Sequence, residues 1–264
     1  MSDKKPLSNP LLRQTAAGSW LETFQALTGT RPHKPSFAVF DIGQSGRITL
    51  AKWFSAHSAI AFQADILSQA VRFPRMSVYQ RIRQSQGEVY GFNLTVEQLR
   101  QVQRLADPNQ FLHDLHRGGC RIIYLHRRDM LRHAIATLRD CSTDYRFNDT
   151  ATRPKKITID VGELIDCLKY LDNQRVEASA ILHDVPHLNL VYEDDLMDPN
   201  CYLDTADKLS AFLNIPEIQP AGTTLKLVHQ QLSDIVENYD DLSAGIESSD
   251  YAYLLTSNRH LLTR

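Results

Sequence analysis

Five consecutive residues, Gly43-Gln44-Ser45-Gly46-Arg47, have the composition of a loop that holds an anion. They follow the apolar run 36–42 (Ser-Phe-Ala-Val-Phe-Asp-Ile). They precede Leu50, Trp53, Phe54 and His57, which recur at i, i+3, i+4 and i+7. The first pattern predicts a buried strand and the second a helix. A turn between the two aims backbone N–H groups at one point, where the helix dipole adds roughly half a positive charge. Glycines at 43 and 46 let an anion approach the backbone. The same glycines also serve a βα turn that needs them for packing alone, so the loop by itself leaves both uses open.

Related loop chemistries do not fit. No Gly-Lys-Ser/Thr occurs, which excludes the GxxxxGK[ST] phosphate loop. In Gly43-Gln44-Ser45-Gly46 the second glycine comes one residue too early for a GxSxG nucleophile elbow. The GxGxxG dinucleotide fingerprint is also absent.

The elements around the loop alternate. Residues 88–94 suit a short strand, and Thr95 a helix N-cap, with the helix running through Leu105 and Glu97 and Gln98 in its first turn. Asp107-Pro108 ends that helix or starts another. Residues 120–125 read as a central strand, and Leu131, Ala134, Ile135 and Leu138 as a helical stripe. Residues 188–192 form another apolar strand. Asp198-Pro199 opens a helix whose apolar face is Leu203, Ala206, Leu209 and Leu213. Strands alternating with helices predict one α/β domain over 36–264, a central parallel sheet covered on both faces. Residues 1–35 read as a polar lead-in with a short helix near residues 20–27. The polar stretch 143–156, with Pro154, is a candidate loop over a site.

Bulk properties exclude several classes. The chain has 264 residues, 42% hydrophobic and 23% charged, with net charge −2. There is no basic excess for nucleic acid. No apolar run reaches the roughly 20 residues of a membrane span. The polar start Met1-Ser2-Asp3-Lys4-Lys5-Pro6 lacks the apolar core of a secretory signal, so a cytoplasmic location is expected. The four cysteines are scattered with no CxxC pair, which favours reduced thiols over a zinc or redox site. Charge is uneven. Arg117, Arg121, Arg127, Arg128 and Arg132 lie close together, and residues 232–250 carry Asp234, Glu237, Asp240, Asp241, Glu247 and Asp250. Such runs serve an anionic ligand or a solvated face.

Taken in order, several segments resemble the sulfotransferase family in its bacterial and carbohydrate-type branch. Gly43-Gln44-Ser45-Gly46-Arg47-Ile48-Thr49-Leu50 stands where members carry G-R-S-G-S-T-L-L. Ala64-Asp65-Ile66-Leu67 stands at the acidic "gEiL", and Gly91-Phe92-Asn93-Leu94 at "GFKL". Residues 122–136 are similar to "IIYLkRRNlLRqalS", Val191-Tyr192-Glu193-Asp194-Asp195-Leu196 to the "YEDL" signature, and residues 223–242, with Lys226, to "K…ieNyde". The resemblance implies a P-loop-like sulfotransferase fold. It also implies transfer of sulfuryl from 3′-phosphoadenosine 5′-phosphosulfate, without a metal, to a hydroxyl of a small molecule, glycan or lipid.

On that resemblance residues 43–49 (Gly43, Gln44, Ser45, Gly46, Arg47, Ile48, Thr49) would hold the 5′-phosphosulfate. Arg128 would hold the 3′-phosphate, with Arg127 and Arg132 as neighbours in register. Ala136 and Lys226 fall on further nucleotide-contacting positions, and Asp65 on the catalytic base. Tyr192-Glu193-Asp194 reads as structural. The departures fall on the same site. Gln44 replaces a basic residue, Arg47 and Ile48 replace hydroxyl residues, Asn93 a lysine, Asp129 an asparagine and Ala136 a serine. Arg47, with Thr137 or Arg132, could rewire the site. Alternatively the fold persists as a binding or scaffold protein with weakened donor binding, since each lost charged hydrogen bond costs roughly 1.5–3 kcal/mol. A nucleotide-binding enzyme using another activated phosphate is the third reading.

Overall fold

The strand Ser36–Asp41 (β1) is buried at every position, because it has a parallel neighbour on each side and helices on both faces. The computed structural model describes residues 34–141, 156–220 and 231–255. The helix expected near residues 20–27, residue Lys226 and nearly all of the polar stretch 143–156 lie outside them.

Among the described residues five strands form one parallel sheet in the order β2-β3-β1-β4-β5: Ile60–Gln63 (β2), Val89–Thr95 (β3), β1, Cys120–His126 (β4) and His187–Val191 (β5). This is the single-domain α/β architecture expected from the alternation of patterns. Phe37 and Val39 of β1 face one side. There they meet Leu50, Trp53 and Phe54 of α1 (Arg47–Ala56) and Leu209 and Leu213 of α6 (Tyr202–Leu213). Ala38 and Phe40 face the other side, which is covered by α2 (Pro74–Gln84), α3 (Pro108–Arg117), α4 (Met130–Cys141), α5 (Val161–Leu182) and α8 (Tyr239–Glu247). The period-2 alternation of β1 therefore feeds two cores. The chain leaves β1 for α1 on one face and β4 for α4 on the other. Diverging connections of this kind open a crevice at the carboxyl ends of the strands.

The helix expected from Thr95 to Leu105 forms but is shorter: Val96 and Glu97 are α-helical and pass into one π-helical turn, Gln98–Val102. Its start is capped as the sequence suggests. Gln98 N donates to Thr95 Oγ1 at 3.1 Å, and Thr95 N donates to Gln98 Oε1 at 3.1 Å. Its end is cut short because Gln103 turns its amide onto the carbonyls of Leu67 and Gln69, at 2.8 and 2.7 Å, and Arg104 takes a left-handed φ of 51°.

Several of the described elements fall outside the sequence expectation. β2 is a four-residue edge strand. α2 is polar and buries only Val78 and Ile82. α5 runs for 22 residues beside α3 and α4. After Asp198 the chain makes a 3₁₀ turn, Pro199–Cys201, before α6 begins.

The acidic carboxyl-terminal segment is tied down by backbone pairing. Ile157 bridges Val236, and the Asn238 side chain clamps Ile159 from both sides, accepting from its N–H at 3.1 Å and donating to its carbonyl at 2.8 Å. The helix Leu232–Ile235 (α7) precedes that clamp. Among the described residues no helix is long and apolar enough to cross a membrane.

Candidate functional site

The chain leaves β1 at Asp41, a carboxyl with no exposed surface at the end of an apolar strand. Its Oδ1 accepts the Gly43 N–H at 2.5 Å, while its Oδ2 has no hydrogen-bond partner. Burial outweighs the attraction of Arg47 and the Gly43 bond and pushes this carboxyl up to about 6.

The loop that follows is built from left-handed residues. Gly43 has φ 91°, Gln44 43° and Gly46 99°. Gln44 is the non-glycine among them, and such a conformation persists only where the surroundings impose it. Two bonds to one carbonyl impose it here. The Ser45 hydroxyl donates to Gly43 O at 2.9 Å, and His133 Nε2 lies 2.8 Å from the same oxygen. A carbonyl cannot donate, so Nε2 carries the proton and Nδ1 is bare. Desolvation, then the charge of Arg127, push His133 down to about 3, which keeps the ring neutral. Helix α4 thus reaches across and pins the turn.

The pinned loop opens into a cleft of about 370 Å³ at the carboxyl ends of β1 and β3. Gly43, Gln44 and Arg47 form one wall. Asp65 and Ser68, from the segment after β2, form the second, and Thr95, Glu97 and Gln98 the third. Ile42, Val102, Thr137 of α4, and Tyr170 and Leu171 of α5 close it. Arg47 opens α1, and within that first turn the Thr49 N–H donates to Gly46 O at 3.0 Å. Its guanidinium lies 3.2 Å from Asp65, and Gln98 Nε2 reaches the same carboxylate oxygen at 3.3 Å. Both partners of this ion pair are partly exposed, at 28% and 45%, so solvent screens it.

The fold thus brings Gly43, Gln44, Arg47 and Asp65 to one cleft, together with Thr137, one residue beyond the half-buried Ala136. Ser45 and Thr49 are buried, and Ile48 is half exposed. Asn93 is buried within β3, and Asp129 caps α4 by accepting Arg132 N at 2.9 Å.

Arg128 is not among the cleft's lining residues. Its guanidinium pairs with Asp194, and its N–H donates to Glu193 at 2.8 Å. The Glu193 carboxylate also takes the Asp129 N–H at 3.2 Å, so this turn fastens the end of β4. Tyr192 lies under Arg127, whose guanidinium sits 4.1 Å from the ring centroid. Among the described residues no group of histidine, cysteine and acidic side chains is arranged to hold a metal.

Asp41, His133 and Gln98 were not singled out from sequence. For Asp41 a signal existed, an ionisable residue closing an otherwise apolar strand. His133 carries no such local mark, and Gln98 is marked only as the cap partner of Thr95; each reaches the site across the fold.

No family model matches the chain, and no curated protein matches it. Solved structures similar to it include two sulfotransferases. One is from Alicyclobacillus acidocaldarius, at 15% identity over 88% of this chain and 96% of that one, with TM-score 0.46. The other is mouse sulfotransferase SULT7A1 complexed with PAP, at 13% identity over 91% of this chain and 94% of that one, with TM-score 0.43. At such distances likeness describes shape, and no residue's role is taken from it.

Proposed function

We propose that the protein is a sulfotransferase that takes its sulfuryl group from 3′-phosphoadenosine 5′-phosphosulfate, with the 43–47 loop as the donor cradle. The observation that carries this reading is the Arg47–Asp65 pair at the mouth of the pinned loop. A cation and a carboxylate stand side by side where a helix N-terminus meets a cleft.

The donor is an activated mixed anhydride, so the protein must neutralise the departing phosphate, align the acceptor and remove its proton. The Arg47 and Ile48 amides that open α1 and the Arg47 guanidinium neutralise charge. As the acceptor oxygen forms its bond to sulfur, the bond from sulfur to the bridging oxygen breaks, and its electron pair goes to the phosphate. The acceptor proton passes to Asp65, which Arg47 releases on turning to the donor. Arg128 is suited to the 3′-phosphate once it leaves Asp194, because a guanidinium binds phosphate bidentately. The acceptor is a hydroxyl of a small molecule, glycan or lipid, and the setting is cytoplasmic.

A second reading is supported by the same pairs. Arg47 is held by Asp65 and Arg128 by Asp194, which is also how a non-catalytic binding protein on this fold would stabilise itself. Titration calorimetry with adenosine 3′,5′-bisphosphate separates the two. Saturable binding lost in Arg47→Ala supports the donor site. Undetectable binding at millimolar ligand sinks the enzyme reading.

A further inference from the structure

We infer that Asp41 makes anion binding at this loop proton-coupled: the loop accepts its anion when Asp41 is protonated and resists it when Asp41 is ionised. This inference rests on the reading of the 43–47 loop as an anion site.

Geometry places Asp41 directly beneath that loop. It is the last residue of β1, fully buried, and its Oδ1 takes the N–H of Gly43, the first glycine of the turn. An ionised Asp41 therefore does two things. It withholds the Gly43 N–H from an incoming anion. It also sets a negative charge a few residues from where the anion must sit, in a medium that screens charge poorly. Its second oxygen has neither a donor nor solvent around it, so that charge is only half compensated. Protonation removes the repulsion and weakens the hold on the Gly43 N–H.

The groups facing Asp41 leave it to make the change. Arg47 on α1 attracts its charge and Asp65, after β2, repels it. Arg47 is shared with Asp65 at 3.2 Å, which reduces what it offers Asp41. Tyr124 on β4 is pushed up by its own burial and stays neutral across pH 5 to 8. His133 on α4, across Gly43, is pushed down to about 3 and is neutral over the same range. On β3 the residue in register with Asp41 is Thr95, which carries no charge. The Asp41 carboxyl itself, pushed up to about 6, changes charge in that range.

The test is calorimetric titration of adenosine 3′,5′-bisphosphate into the wild type and Asp41→Asn between pH 5 and pH 8. It is run at each pH in two buffers of different ionisation enthalpy, so that proton uptake is read directly. The variant serves as reference for the ligand's own titration. The expected result is uptake of close to one proton by the wild type at pH 8 beyond that of the variant. The variant should bind about 100-fold more tightly at pH 8, an advantage shrinking about tenfold per pH unit and vanishing near pH 5.

Equal affinities with parallel pH profiles would overturn the inference and leave the donor site standing. Binding by neither protein at any pH would overturn both. If the variant does not fold, wild-type uptake decides alone. A value near zero at pH 8 overturns the coupling, and a value near one sustains it.

Discussion

The ring of Tyr192 occupies the space that a side chain at Gly46 would need: a Cβ built there lies 2.4 Å from the ring. Gly46 also holds φ 99°, which other residues adopt only at a cost. The turn after β5 thus fixes the glycine loop after β1 through one close contact, and Arg127 covers the same ring. Gly46→Ala should lose about 3 kcal/mol of stability or more, from the clash and the left-handed backbone together. Urea unfolding reads it. Adding Tyr192→Ala should recover part of the loss, since the two changes share one contact and are not additive.

On the proposed donor-site reading, the Arg47–Asp65 pair divides binding from chemistry. Arg47→Ala should weaken adenosine 3′,5′-bisphosphate binding by about tenfold or more, the loss of one charge-assisted bond. Asp65→Asn should keep or improve that affinity, because Arg47 is then released, and should abolish sulfuryl transfer. Neither should change stability by more than about 1 kcal/mol, the pair being partly exposed. Wild-type transfer by Asp65→Asn would mean that another group takes the proton.

Arg128 is held by Asp194 in an exposed pair. If Arg128 serves the 3′-phosphate, Asp194→Asn should raise affinity for the 3′,5′-bisphosphate severalfold. It should leave affinity for adenosine 5′-phosphosulfate, which has no 3′-phosphate, unchanged. Arg128→Ala should do the reverse for the bisphosphate. Equal effects on both ligands would place Arg128 away from the 3′-phosphate.

His133 and Asp41 pull stability in opposite directions with pH. The folded state lowers His133 from 6.5 to about 3. Its contribution is complete above pH 6.5 and is lost as pH falls towards 3. The folded state raises Asp41 from 3.8 to about 6, so its contribution is complete below pH 3.8 and is lost as pH rises to 6. The advantage of the wild type over His133→Gln should shrink by about 2 kcal/mol between pH 7 and pH 5. Asp41→Asn should gain about 2 kcal/mol relative to the wild type between pH 4 and pH 8. Denaturant midpoints across pH measure both.

The sequence carries β1, the glycine loop and α1 in local patterns. An apolar run, a glycine pair and an i, i+3, i+4 stripe name themselves within about twenty residues. The Thr95–Gln98 cap is legible in the same way, although the length of its helix is not. That length is set by Gln103 bonding to Leu67 and Gln69, which are more than thirty residues distant in the chain. α2 escapes notice because only Val78 and Ile82 are buried. β2 escapes because an edge strand of four residues carries almost no periodicity.

What the sequence determined by itself is the set of parts: parallel strands joined by helices, with a glycine turn after the first. Local sterics and hydrophobic periodicity suffice for that, since each pattern is complete within one element. The assembly of the site was decided by the tertiary structure alone. Strand order brings the ends of β1 and β3 together, and with them Arg47, Asp65 and Gln98. The packing of α4 against the sheet sets His133 on the Gly43 carbonyl, and burial beneath the loop raises Asp41. Desolvation and through-space charge depend on which surfaces meet, and no run of neighbouring residues encodes them.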